Sequence, residues 1–423
     1  MAIPQHPREP GSVQQALRGS TAGTPVAAGA PRTGDDPRPQ VRKTRITGVD
    51  AARGFALIGM AAVHTYSLVT DDGDQSWSWA LFAGKAAALF ALLAGVSLAF
   101  MSGGSRPSTD GRTRVAACAG LAARALCITV IGLLIGSVVD APYVILPYYG
   151  VMFLLAAPVL YSPARVLVFL AVVSALVAPF VMQAVRSELP YPFLSNPSLG
   201  DALVHPWRLV TSLLLTGVYP AIPWMAYICT GLVIGRCDLR RARVAGWLLG
   251  AGTLLAVVPL IVSNVLLYQL GGYDALVATP GLSVEEVDDV IGWGPDPVLP
   301  TSTSWWLAIS AAHSSTPVDL MHTTGVAMAV LGAVLLLERV RGARTLLAPL
   351  AALGTLTLTF YTLNVLATRF ITWEDDTTFF ASQVVVGLIA AVLWRYRFGQ
   401  GPLERVVAAG AHRARSAVLR GGR

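Results

Sequence analysis

The chain has 423 residues, of which 54% are hydrophobic and 13% charged, with a mean hydropathy of +0.60 and a formal charge of +7. Soluble domains carry roughly 25% charged residues, so this composition excludes a run of soluble domains and points to one all-α, polytopic membrane domain. The basic residues sit in short loops between apolar runs and at the chain ends, where the positive-inside rule puts them, so the net charge is not a nucleic-acid signal.

Residues 1–44 are rich in Pro, Gly, Gln and Arg and lack an apolar stretch. They read as a disordered cytoplasmic tail and not as a signal peptide. Apolar runs then predict about ten transmembrane helices, at 46–69, 80–101, 116–138, 142–160, 165–183, 214–235, 244–266, 317–337, 346–368 and 378–395. Each is near the roughly 20 residues that a bilayer requires. The membrane domain is placed at 45–398, and 399–423 is a basic cytoplasmic tail. Its stretch 403–420 alternates apolar residues with Arg and has two readings, a helix on the inner membrane surface or a frayed end.

Loops after odd-numbered segments carry Asp71, Asp72, Asp74, Glu285 and Glu286, whereas the opposite loops carry Arg106, Arg112, Arg236, Arg240 and Arg339. The bias predicts both termini inside, N-in and C-in. Two long outer loops are expected, at about 184–213 and 267–316, and loops of that length usually bind something or cover a site. The second holds VEEVDDV, Trp293, Trp305, Trp306 and His313.

Ionisable groups inside membrane segments are functional candidates by default. The first segment holds Asp50, Arg53 and His64. At 100° per residue, Arg53 and His64 share one helix face, roughly 16 Å apart along the axis, with Asp50 on the same side. Other readings stand beside this one: Thr47 and Asp50 have the spacing of a capping box, and Arg53 can pair with Asp50 or snorkel. Neither accounts for His64. Lys85 lies near the same depth and either snorkels or orients an acceptor group. Arg124, one to two turns into the third segment, either snorkels or contacts phosphate. Thr316–Pro317–Val318–Asp319 reads as a helix start with Asp319 as a cap. His313, in the Ser-rich turn before it, is an open candidate, and His322 reads as a satisfied interfacial residue. No Walker A, GxSxG, HExxH or GxGxxG motif and no metal-ligand spacing occurs.

RITGVDAARGFALIGMAAVHTY resembles the first helix of the transmembrane acyltransferases, which include heparan-alpha-glucosaminide N-acetyltransferase-like and YeiB-like membrane proteins. Its Arg53–ten residues–His64 spacing is similar to that of acyltransferase-3 enzymes. WALFAGKAAALFALLAGVSLAF, YPAIPWMAYICTGLVIGRCDL, AHSSTPVDLMHTTGVAMAVLG, LGTLTLTFYTLNVL and GPLERV resemble later segments, in the same order. The resemblance implies transfer of an acyl group, acetyl in the first instance, from cytoplasmic acyl-CoA to a carbohydrate or glycolipid acceptor at the outer face of the cell's inner (plasma) membrane. Acyl-CoA is then a donor substrate, and no permanently bound cofactor is implied; a homo-oligomer is left open.

Heparan-type enzymes place their functional His in the loop after the first helix, and the loop here, DDGDQSWSW, has none. The role therefore falls to His64, as base or as an acyl-carrying nucleophile. Lys85 is expected to steady the oxyanion. Asp50, Arg53 and Arg124 are expected at the donor, and His313 and Trp224 at the acceptor. The competing class is a transporter or flippase without chemistry, which Pro220 and Pro223 in the sixth segment would suit.

Overall fold

The computed structural model describes residues 46–371 and 375–421; the tail expected at 1–44 lies outside the described residues. Among these, all regular structure is helical apart from one isolated β-bridge between Val69 and Gln75. In chain order the α-helices are α1 (Thr47–Thr65), α2 (Trp77–Phe82), α3 (Lys85–Met101), α4 (Gly111–Gly136), α5 (Leu146–Val159), α6 (Ala164–Leu176), α7 (Ala178–Val185), α8 (Leu199–Val204) and α9 (Pro206–Thr211). They continue as α10 (Ala221–Gly235), α11 (Ala242–Asn264), α12 (Gly272–Val277), α13 (Val284–Trp293), α14 (Pro317–Leu337), α15 (Ala343–Leu353), α16 (Thr357–Phe370), α17 (Asp376–Phe398) and α18 (Pro402–Arg420).

Among the described residues, five helical stretches are long and apolar enough to cross a bilayer: Trp77–Met101, Gly111–Gly136, Ala242–Gln269, Pro317–Leu337 and Asp376–Phe398. Three more become spans only as bent pairs, α6 with α7 and its 3-10 turn (42°), α9 and its π-turn with α10 (51°), and α15 with α16 (69°). This set marks a multi-pass membrane protein. The sequence reading gave each of the three as one segment, with the sixth marked as interrupted at Pro220 and Pro223. The first two bends fall beside Pro179 and Pro220, whose missing N–H and ring clash break the helical ladder. The other two expected segments correspond to α1, which carries Asp50, Arg53 and His64, and α5, whose 14 residues fall short of a normal span.

α1 is surrounded, packing on α2, α3, α14, α15, α16 and α17. That explains why Asp50 and Ala51 are as buried as Leu57. Its first turn is not closed by Asp50, contrary to the capping-box reading. The N-cap is Ile46, without a side-chain cap, and Glu338 at the end of α14 accepts from Gly48 N at 2.9 Å. The last helix is neither frayed nor isolated. α18 runs antiparallel along α4, with Arg112 donating to Leu419 O, Gly120 against Ala411 and Gly410 against Cys127. Glu404, in the GPLERV stretch, accepts from Leu358 N (2.7 Å), Thr359 N (3.0 Å) and Thr359 Oγ1 (2.6 Å), so it caps α16 from a different helix.

The segment read as a long loop at 267–316 is a folded cap. α12, α13 and the 3-10 turn Ser304–Ala308 enclose a small core of Leu267, Leu276, Val287, Trp306 and Ile309. Trp306 is fully buried and donates to Ser302, while Trp305 packs on Gly272. The two rings supply apolar area that holds the cap together. Gln75 to Gly292 O, Gln183 to Thr303 O and Ser263 to Ala308 O tie the cap to the bundle.

Candidate active site

His64 lies in the last turn of α1, beside Tyr66, where the chain leaves helical geometry. Its Nδ1 is 2.9 Å from Asn364 Oδ1 on α16. Asn364 Nδ2 donates to Gln383 Oε1 on α17, and Gln383 Nε2 donates to Thr65 Oγ1 at 3.2 Å. The chain of polar groups thus returns to the residue next to His64. A carbonyl oxygen only accepts, so Nδ1 carries the imidazole proton and Nε2 keeps its lone pair.

His64 opens onto a small cavity of about 30 Å³, whose wall also includes Tyr143, Tyr219, Tyr361, Gly84 and His313. Tyr361 Oη accepts from Ile145 N at 3.2 Å, leaving its own O–H to donate. Gly84, at φ +69°, divides α2 from α3 here. That left-handed conformation favours glycine and brings the backbone at Gly84 close to that of Ala312 and His313. Asn196, between α7 and α8, accepts from Val144 N and donates to Val139 O and Pro142 O, fixing the short α4–α5 connection that carries Tyr143.

His313 stands in a turn where it and Ser315 adopt φ +60° and +52°, a conformation that is uncommon and costly without glycine. The turn is braced from every side. Trp224 Nε1 donates to Ser315 Oγ (3.1 Å), Ser315 N donates to Asp319 Oδ2 (3.0 Å), and Ser314 Oγ donates to Ala311 O (2.7 Å). Asp319 N donates to Thr316 Oγ1, as the capping reading expected. The His313 ring packs edge-on to Tyr219, and its Nδ1 is buried with no hydrogen-bond partner. Burial, with the neighbouring His64 and Lys85, pushes its imidazole down to about 4. His313 also lines a second small space, of about 30 Å³, between the bundle and the cap. His313 is thus a shared wall of the two cavities.

Other candidates fall elsewhere. Arg53 Nη1 pairs with Asp50 Oδ1 at 2.7 Å, and its Nη2 donates to Ser97 on α3. Lys85 does not face His64: its Nζ donates to Ala80 O, closing the end of α2, and it borders a separate apolar groove with Phe55, Leu81 and Leu89. Trp224 is buried under the His313 turn and donates to Ser315 in it. Arg124 lies on the α4 stripe that faces α18, between Gly120 and Cys127, with Nε buried and unpartnered. α4 packs on α5, α8 and α18, so Arg124 and Arg53 sit on helices with different neighbours. His322 Nδ1 donates to Ala256 O at 2.7 Å and is satisfied there. Among the described residues no His, Cys, Asp and Glu side chains gather into a metal site.

Sequence reasoning missed Asn364, Gln383 and Tyr361. Polar residues in the apolar run of α17 and in TLTFYTLNVL were the available signal.

No curated protein matches the chain. The sequence model for heparan-alpha-glucosaminide N-acetyltransferase, catalytic, matches residues 45–268. That range covers α1 to α11, including His64, Arg53 and the Asn196 brace, while His313, Tyr361 and Asn364 lie beyond it. With more than half of its length matched, the chain belongs to the heparan-alpha-glucosaminide N-acetyltransferase catalytic-domain family.

Proposed function

We propose that the protein is a membrane acyltransferase of ten spans, with both termini on the cytoplasmic side of the inner (plasma) membrane. It moves an acyl group, acetyl by family, from cytoplasmic acyl-CoA to a sugar hydroxyl or amine on an envelope glycan or glycolipid at the outer face. The observation that carries this reading is His64, oriented by Asn364, with a bare Nε2 in a cavity that it shares with His313.

In this reading the donor enters from the Arg53 end of α1, where a guanidinium suits phosphate; Asp50 holds Arg53 in place, and Arg124 is a further contact for the nucleotide end. The thioester reaches His64, roughly 16 Å along the helix. His64 Nε2 takes the proton from the acceptor O–H or N–H as that atom attacks the thioester carbon. The C–S bond breaks, and the departing thiolate takes the proton from His64. The Tyr361 hydroxyl, free to donate, is the group we assign to the carbonyl oxygen as charge develops there.

The test uses purified protein in nanodiscs with labelled acetyl-CoA and glycan acceptors. His64→Gln keeps size and hydrogen bonding but loses the base, and transfer is expected to fall about 10²–10⁴-fold. Near-normal transfer by His64→Gln rejects the base assignment. Arg53→Ala is expected to weaken acetyl-CoA binding by titration; unchanged affinity leaves Arg53 as the partner of Asp50 and Ser97 only.

A further inference from the structure

The His64 cavity and the apolar groove beside Lys85 share part of one wall, because Phe82 and Ala86 line both. Beyond those two residues the groove is bounded by Phe55, Ala56, Leu81, Leu89, Val326 and Val330. Lys85 is the one charged residue on it among the described residues, and its ammonium turns away to Ala80 O. The two spaces differ in size, about 30 Å³ on the His64 side and about 190 Å³ in the groove. A water needs about 10–15 Å³, so the His64 side holds roughly two or three heavy atoms, the size of an acetyl group. An apolar cavity of about 150 Å³ takes a benzene, so the groove takes roughly six carbons of chain.

The partition between them is held in place. Phe82 ends α2, two residues before the backbone break at Gly84. Its ring lies on Gly59 of α1, where an added Cβ would run into it. It also packs edge-on to Phe55 and to Trp77, with ring centroids 5.7 Å and 6.3 Å apart. A ring wedged among such neighbours does not swing aside at no cost. The other shared residue, Ala86, contributes only a methyl group, so Phe82 supplies most of the barrier.

We infer that Phe82 sets the length of the transferred acyl group: the methyl of an acetyl thioester abuts its ring, and a longer chain collides with it. The groove behind the ring is where the chain of a longer donor runs once the ring is cut back. The inference rests on the acyltransferase reading and adds a specificity-determining residue to it. The bond changes stay the same. The acyl carbon exchanges its C–S bond for one to the acceptor oxygen or nitrogen, the acceptor's proton ends on the CoA thiol, and only the hydrocarbon beyond the α carbon differs.

The experiment compares acetyl-CoA, butanoyl-CoA and hexanoyl-CoA on full-length protein in nanodiscs. Methyl glucosaminide, which offers both hydroxyls and an amine, is the acceptor. Each kcat/KM is taken as a ratio to acetyl-CoA on the same preparation, so a reduced folded fraction cancels. The wild type is expected to prefer acetyl-CoA, and Phe82→Ala to raise the hexanoyl-to-acetyl ratio about 10- to 200-fold. Phe82→Leu keeps apolar bulk and is expected to give a smaller rise in the same direction. Adding Val330→Phe to Phe82→Ala fills the groove from α14 and is expected to restore the acetyl preference. A wild type that uses hexanoyl-CoA as well as acetyl-CoA, or a ratio unmoved by Phe82→Ala, overturns the proposal. A widened selectivity that survives Val330→Phe also overturns it and leaves the groove to bilayer lipid. Calorimetric titration of the same three thioesters keeps the two readings apart. A gain in hexanoyl-CoA affinity with Phe82→Ala but no transfer of any acyl group supports the barrier and sinks the transferase reading; no gain and no transfer sinks both.

Discussion

Asn364 Oδ1 accepts from His64 Nδ1 at 2.9 Å across 300 residues of sequence. The contact fixes both the ring orientation and the tautomer, since the amide oxygen has no proton to give. Gln383 braces Asn364 in turn. Asn364→Leu is expected to lower kcat about tenfold or more with little change in the KM for acetyl-CoA, because the donor contacts we propose lie at the other end of α1. Gln383→Leu removes the brace but leaves the acceptor oxygen, so its loss is expected to be smaller. Steady-state kinetics on the two variants checks the order; equal kcat in Asn364→Leu and wild type ends the positioning role.

Glu404 performs a structural task at a distance from the site. It covers two backbone N–H groups at the start of α16, the helix that carries Tyr361 and Asn364. Charged caps are worth more than neutral hydrogen bonds, and an orphaned buried donor costs about 1–3 kcal/mol. Glu404→Ala is therefore expected to destabilise by roughly that amount. Thermal unfolding in detergent measures it, and an unchanged midpoint would show that water replaces the carboxylate at no penalty.

The His313 imidazole titrates near 4 in the folded protein, against an ordinary 6.5. The unfolded chain binds the proton as pH falls through about 6.5, and the folded chain resists until about 4. Acidification across that window therefore favours unfolding, and the contribution is complete below it. The unfolding midpoint should drop from neutral pH to about 4, and His313→Gln should flatten the drop. Parallel curves for the two proteins would remove His313 as the source.

Much of this arrangement was legible in the sequence, because it depends on local periodicity. The Arg53–His64 stripe follows from 3.6 residues per turn, and the Asp319 cap follows from its spacing to Thr316. What failed depended on which helices meet. Asp50 has the spacing of a cap, but Glu338 reaches Gly48 first from α14. Lys85 has the right depth, but the Gly84 break turns its amine back to Ala80. The segment that holds Trp305 and Trp306 reads as a long loop, because no apolar run in it is long enough to span a bilayer. Leu267, Leu276, Val287 and Ile309 in the same segment were the sign that it buries a core of its own. The Asn364 partnership had no local signature at all.

The tightest constraint on α1 is its crossing with the bend between α15 and α16. A Cβ on Gly354 would fall inside contact distance of the Asp50 carbonyl oxygen and press on Gly54 N, and a Cβ on Gly54 would meet Leu350 O. All of these neighbours are backbone atoms, which cannot yield by rotating away. Gly354 thus lets α15 and α16 bend by 69° directly against the turn of α1 that carries Asp50 and Arg53. Gly354→Ala is expected to destabilise by about 1–3 kcal/mol through overpacking. Where the strain is relieved by moving the Asp50–Arg53 turn, it should also weaken acetyl-CoA binding under the proposed donor site. Gly246→Ala on α11 is the matched control. Nothing lies within 4 Å of its added Cβ, and alanine has the better helix propensity, so it is expected to be neutral or stabilising. Thermal midpoints and donor titrations of both variants decide the matter. If Gly354→Ala matches Gly246→Ala in stability, the crossing has slack and does not fix α1. If it is less stable but binds acetyl-CoA normally, the crossing supports the fold without positioning the donor end.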